Sequence, residues 1–169
     1  PMISWLILGG KCRHCKQKIS SRYFFVELIT GLLTLSMVVT FGLSPELFIN
    51  LIFVYMLISI TYIDYDHYII PNEFILMGFI ILIPSHFLGW LPITILDGLY
   101  GALSFGGFLY LIGQIGFLIL KKDSMGFGDV KLGLIIGGIL GLKLSVVALF
   151  LSFIISALFS IIGMSLFKM

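Results

Sequence analysis

From Phe24 to Phe167 the chain returns repeatedly to apolar runs of about twenty residues, the length a helix needs to cross the hydrocarbon core of a bilayer. Hydrophobic residues make up 60% of its 169 positions and charged residues only 11%, against about 25% in an ordinary soluble domain. One soluble core of this length would still need a polar shell, so the bilayer is the solvent that this composition suits.

The runs predict an all-α polytopic protein with six spans, at roughly 23–42, 46–63, 73–89, 97–120, 130–141 and 144–167, preceded by an amino-terminal segment over residues 1–22. The fifth run is short and glycine-rich; about twelve residues at 1.5 Å each reach only about 18 Å. Breaks fall at Gly42-Leu43-Ser44-Pro45, Ile70-Pro71-Asn72, Gly89-Trp90-Leu91-Pro92 and the polar run from Lys121 to Asp129. Met2 to Leu8 is too short to span, no cleavable signal peptide is visible, and Pro1 as first residue leads us to expect that the chain begins within a longer protein.

A formal net charge of +2 gives no argument for nucleic acid as a partner; the positions of the basic residues say more. Lys11, Arg13, Lys16, Lys18, Arg22, Lys121, Lys122, Lys131 and Lys168 fall on one side of this topology and Lys143 on the other. The positive-inside rule makes the richer side cytoplasmic. Cys12 and Cys15 lie in the basic segment, where two such thiols serve metal binding, redox chemistry or neither, and form no disulfide framework.

The same side receives the loops 64–72 and 121–129, which hold four of the eight acidic residues. An acid beside a span is costly unless it is solvated, paired or working. Asp64 ends one span in Asp64-Tyr65-Asp66-His67, and Asp129 opens another in Gly126-Phe127-Gly128-Asp129-Val130-Lys131. Each alone also reads as ordinary: Asp64 as a wetted helix end, Asp129 as an N-cap. Together they offer two carboxylates at one membrane edge, the arrangement that acid/base hydrolysis needs. Gly126 and Gly128 suit a loop that clasps an extended peptide, through dihedrals closed to other residues or close backbone approach. Lys131 reads as an anchoring lysine or as a group that holds a substrate carbonyl and tunes the pair. His86 reads as an interfacial or satisfied helix histidine.

Asp64-x5-Ile70-Pro71 followed by Gly126-Phe127-Gly128-Asp129 resembles the type IV prepilin peptidases, within the wider GxGD aspartyl proteases of membranes. The likeness extends to Ile3-Ser4-Trp5-Leu6, Cys12-Arg13-His14-Cys15, Ile19-Ser20-Ser21-Arg22-Tyr23 and Val26-Glu27-Leu28-Ile29-Thr30, and so to nearly the whole chain. It implies a multi-pass enzyme of the bacterial inner membrane that removes the basic leader of prepilins and pseudopilins at the cytoplasmic face. Asp64 and Asp129 carry over as the catalytic pair, with Asp66 the alternative to Asp64, and residues 23–169 as the peptidase domain. Many family members also methylate the new amino terminus with S-adenosylmethionine, and Glu27 is where that activity is looked for. No cofactor is implied for proteolysis.

The family often begins with another span and a longer cytoplasmic loop bearing a second Cys-x-x-Cys. Cys12 and Cys15 supply two of the four thiolates of a structural zinc site, so alone they read as a free reduced pair and in a longer parent as zinc ligands. The family often has Asp where Asn72 stands. The rival readings are a small ion-coupled transporter, whose broken helices and acids would sit at the midplane, and a scaffold for pilus assembly.

Overall fold

In the computed structural model, residues 2–121 and 125–167 are described. Lys122, Asp123 and Lys168, counted above among the charges of one face, lie outside them. The elements are α1 (Met2–Ile7), α2 (Ser21–Phe41), α3 (Pro45–His67), α4 (Asn72–Phe87), α5 (Ile95–Leu120) and α6 (Phe127–Phe167), with no strand among the described residues. Helices suit a chain in lipid because each closes its own backbone hydrogen bonds. Large apolar side chains cover their outsides: Leu118, Ile119, Phe150 and Phe159 are all more than two-thirds exposed. Water would not tolerate so continuous an apolar surface.

Four helices, α2, α3, α5 and α6, are long and apolar enough to cross a membrane, and α4 is shorter, at 16 residues. The six expected runs are all helical: the first four correspond to α2 through α5, and the last two to the helical stretches on either side of Gly141 in α6. The fifth and sixth runs form the single element α6, whose 41 residues are interrupted at Gly141 (φ 71°, ψ 175°). Ser145 Oγ donates to the carbonyl of Gly137 at 3.2 Å, although eight residues of straight helix would separate them by about 12 Å. The chain consequently folds back at Gly141 into two arms.

The chain divides into two compact units, Pro1–Tyr62 and Ile63–Met169. In the first, the loop after α1 is tied by Cys12 N–H to the Gln17 carbonyl at 2.8 Å and Ile19 N–H to the Gly10 carbonyl at 2.7 Å. Trp5 stacks on Phe24 at 5.3 Å and donates to the Ile19 carbonyl at 3.2 Å, which fixes α1 and the loop against the start of α2. Ser20 caps α2 by accepting from Arg22 N–H. The Arg22 guanidinium donates to the Tyr62 carbonyl at 3.1 Å and lies over the Tyr62 ring at 4.6 Å. Thr34 Oγ1 gives its proton to the Thr30 carbonyl at 2.7 Å, so at 2.8 Å it accepts from Tyr55, joining α2 to α3.

In the second unit glycines set the packing. A Cβ at Gly101 would strike the Gly137 carbonyl, one at Gly106 would stand 2.6 Å from the Leu134 side chain, and one at Gly133 2.9 Å from Leu109. Residue numbers rise along α5 as they fall along the first arm, so these two run antiparallel with their backbones close. The second arm runs with α5: Asp97 meets Leu142 near the start and Phe108 meets Phe153 edge to face at 5.9 Å further on. Phe105, Leu109, Val130 and Leu149 form the buried cluster between α5 and both arms.

At the Gly141 turn, Thr94 caps α5 by accepting from Asp97 N–H at 3.2 Å, and the Asp97 carboxylate accepts from Leu142 N–H at 3.3 Å to cap the second arm. His86 was expected to be satisfied and is half so. Its Nε2 faces the Gly138 carbonyl at 3.0 Å and must carry the proton, which leaves Nδ1 buried without a hydrogen-bond partner.

Candidate active site

Asp64 lies in the last turn of α3, which continues to His67, and Asp129 in the first turn of α6. Asp129 is thus not the N-cap expected from its sequence: the helix has already begun at Phe127. Between them, Pro71 starts α4 without an N–H to lose, and Lys121 ends α5 in a left-handed conformation (φ 53°). Both carboxylates stand at the same end of the second unit, Asp64 exposed and Asp129 half-buried, close enough for their charges to interact.

The segments that carry them are in contact. A Cβ at Gly128 would stand 3.1 Å from Ile70 Cβ, so the glycine lets the loop before α4 lie against the start of α6. Gly126 accepts from Asp129 N–H at 3.1 Å, its own backbone hydrogen-bonds the Asp129 carboxylate, and a Cβ there would lie 3.1 Å from Asp129 Oδ2. Neither glycine adopts a positive φ, so the expectation of dihedrals closed to other residues fails, and it is close approach that selects glycine at both. Lys131 donates to Asn72 Oδ1 at 2.9 Å and sits 5.2 Å from the centre of the Phe127 ring, which joins α4 to α6 beside the acids.

The other residues singled out by sequence lie in the amino-terminal unit. Cys12 and Cys15 are free thiols, and no group of three or more metal-ligating side chains occurs among the described residues. Hydrogen bonds from the backbone of Cys15 and His14, then from the Cys15 side chain, hold the Cys12 thiol below its ordinary range. Glu27 lines an open groove along α2 with Thr30, Gly31 and Thr34. Sequence reasoning missed Asp97, although Thr94-x2-Asp97 is the spacing of a capping box.

Fold and site define a polytopic all-α membrane protein with two apposed carboxylates at one end of its helices. The pattern of the type IV leader peptidase family matches residues 51–161, and that of the bacterial peptidase A24 amino-terminal domain matches residues 1–41. The chain belongs to the type IV leader peptidase family. It is 33% identical over 159 residues to a prepilin leader peptidase/N-methyltransferase of Pseudomonas putida, covering 94% of this chain and 54% of that protein. Proteins of the same description from Bacillus subtilis (35% identical, 94% of this chain, 62% of the relative) and Pseudomonas aeruginosa (32%, 98% and 57%) are similarly close. The chain thus spans little more than half the length of these relatives. No solved structure matches it.

Proposed function

We propose that the chain is a membrane aspartic endopeptidase that cleaves the basic leader of prepilins and pseudopilins at the cytoplasmic face of the bacterial inner membrane. The observation that carries this reading is the placement of Asp64 and Asp129 at one end of the second unit, on segments that touch through Ile70 and Gly128 and near enough for the Asp64 charge to be felt at Asp129. Two carboxylates brought to one site divide the work of a general base and a general acid. The ionised member draws a proton from water, the water oxygen attacks the scissile carbonyl, and the protonated member donates to the carbonyl oxygen. Because one member must be ionised and the other protonated, cleavage should follow a bell-shaped pH profile. Asp66 follows two residues later on α3, about 200° around the helix from Asp64, and it is the Asp64 charge that acts on Asp129.

The glycines give a graded expectation. Gly126→Ala presses a methyl group on Asp129 Oδ2, and Gly128→Ala presses one on Ile70, each at 3.1 Å. Displacing a catalytic group by a fraction of an ångström costs about tenfold, and a full ångström about a hundredfold. Gly126→Ala should therefore lose more cleavage than Gly128→Ala while both still insert in the membrane, as quantified by leader release against protein in the bilayer fraction. Unaltered cleavage by an inserted Gly126→Ala protein would make it an ordinary turn residue.

Sidedness is tested separately. Cys12, and single cysteines placed in the 64–72 and 121–129 loops, should resist membrane-impermeant thiol reagents added to intact spheroplasts and react once the membrane is opened. Labelling of both loops from outside would overturn the cytoplasmic assignment and the leader chemistry with it.

N-methylation of the new amino terminus is the second activity we propose, on the ground of the relatives' description as N-methyltransferases. The Glu27 groove offers one carboxylate and two threonine hydroxyls on an otherwise aliphatic wall. Those groups do not by themselves fit an adenine, a ribose and an amino-acid head, so no methyl-transfer step is derived from them. Cys12 and Cys15 fit half of a tetrahedral zinc site, and would hold a structural ion only with two further ligands.

A further inference from the structure

Asp64 and Asp129 stand on different helices, and a site that uses both must hold one against the other. We propose that Lys131 is a positioning residue that fixes Asp64 against Asp129 by clamping Asn72, the first residue of α4, to the first arm of α6. The proposal rests on the peptidase reading above.

The route from one carboxylate to the other is short. Tyr68 turns left-handed just past the end of α3 (φ 56°), and its N–H closes on the Asp64 carbonyl at 2.7 Å. Ile69, Ile70 and Pro71 then lead to Asn72, and Pro71 makes no side-chain capping bond to the helix it opens. The start of α6 holds this end of α4 at two points: Ile70 lies against Gly128, and Lys131 Nζ donates to Asn72 Oδ1 at 2.9 Å. At the other end of α4, Leu82 and His86 meet Gly138 of the same arm. An apolar contact such as that of Ile70 fixes a separation but no direction, whereas a hydrogen bond is directional and sets the rotation of α4 about that contact.

The chemistry of the bond suits this part. An ammonium only donates, so Asn72 must turn its carbonyl oxygen toward Lys131, which orients the amide. A charged donor makes the bond roughly twice as strong as a neutral one. Lys131 is itself steadied by Phe127, one turn earlier and between the two glycines, with the ring centre 5.2 Å from Nζ. Two residues of helix carry Lys131 about 200° around α6 from Asp129, so the clamp and the carboxylate occupy different sides of the same turn.

The test uses the full chain in proteoliposomes with a leader-bearing prepilin substrate. Asn72 is exposed, so its replacement leaves the packed interior intact. Asn72→Leu removes the acceptor with little change of size, and Lys131→Met removes the donor but keeps most of the stem. Each should lower kcat about tenfold to a hundredfold, the effect of displacing a catalytic group by a fraction of an ångström to a full one. KM should stay within about twofold, since neither side chain is assigned a contact with substrate. The double variant should be no slower than either single one, because both changes remove the same bond. Asn72→Asp, which keeps an oxygen opposite the ammonium, should cleave well above Asn72→Leu. Full kcat in an inserted Asn72→Leu protein would overturn the proposal, as would losses that multiply in the double variant. A raised KM at unchanged kcat in Lys131→Met would overturn it too, by placing the ammonium on the substrate. Failure of the peptidase reading has a different signature, cleavage retained by Asp129→Asn protein whatever these variants do.

Discussion

Asp64→Asn and Asp129→Asn are each expected to reduce leader cleavage about a thousandfold or more while the protein still inserts in the membrane. Asparagine keeps the shape of the side chain and removes its proton chemistry. If the two carboxylates serve one reaction as base and acid, the double variant should be hardly slower than either single one, as for residues that work as a unit. Asp66→Asn should retain substantial activity, since two residues place Asp66 about 200° around α3 from Asp64. Single-turnover cleavage of a leader-bearing substrate, in a strain lacking any other such peptidase, checks all four variants. Additive losses would dissolve the dyad into two independent residues, and loss only with Asp66→Asn would move the role there.

Gly141→Ala is expected to be strongly destabilising. At φ 71° and ψ 175° the residue occupies a region used almost only by glycine, where other residues pay about 1–3 kcal/mol. The added Cβ would also collide with the Asp97 carboxylate and displace the group that caps Leu142 N–H. Loss of such a cap costs roughly another 1 kcal/mol. Gly42 provides an internal comparison, because its φ of 59° and ψ of −163° carry the same strain with nothing within 4 Å of a Cβ. Thermal unfolding in detergent should therefore show Gly141→Ala falling well below Gly42→Ala, with Asp97→Ala recovering part of the gap in a double variant. Equal melting of the two glycine variants would mean that the Asp97 contact contributes nothing.

These two sites differ in how visible they are in sequence. Asp64 and Asp129 stand out because a charge beside an apolar run is expensive, and that cost is legible without a fold. Helix positions follow from run length: the runs at 46–63 and 97–120 correspond to Pro45–His67 and Ile95–Leu120. Which faces meet is another matter. Helices that are apolar all round show no stripe to mark an inward side, so the contact of Gly101 with Gly137, and the joining of the last two runs as arms of α6, depend on partners far away in sequence. Asp97 is 45 residues from the Leu142 N–H that it caps. The meeting of Ile70 with Gly128 is similarly non-local: Gly128 answers a steric demand from the neighbouring loop, and Gly126 one from the Asp129 carboxylate, not the φ demand that their local sequence suggested.

The most direct measurement is leader release by the purified chain in proteoliposomes, with the new amino terminus mapped by mass spectrometry and solute flux followed in the same vesicles. The account predicts cleavage at the junction of basic leader and apolar segment by the unaltered chain, none by Asp129→Asn, and no flux that depends on Asp64 or Asp129. Cleavage that survives Asp129→Asn, or Asp-dependent solute flux without cleavage, would contradict it.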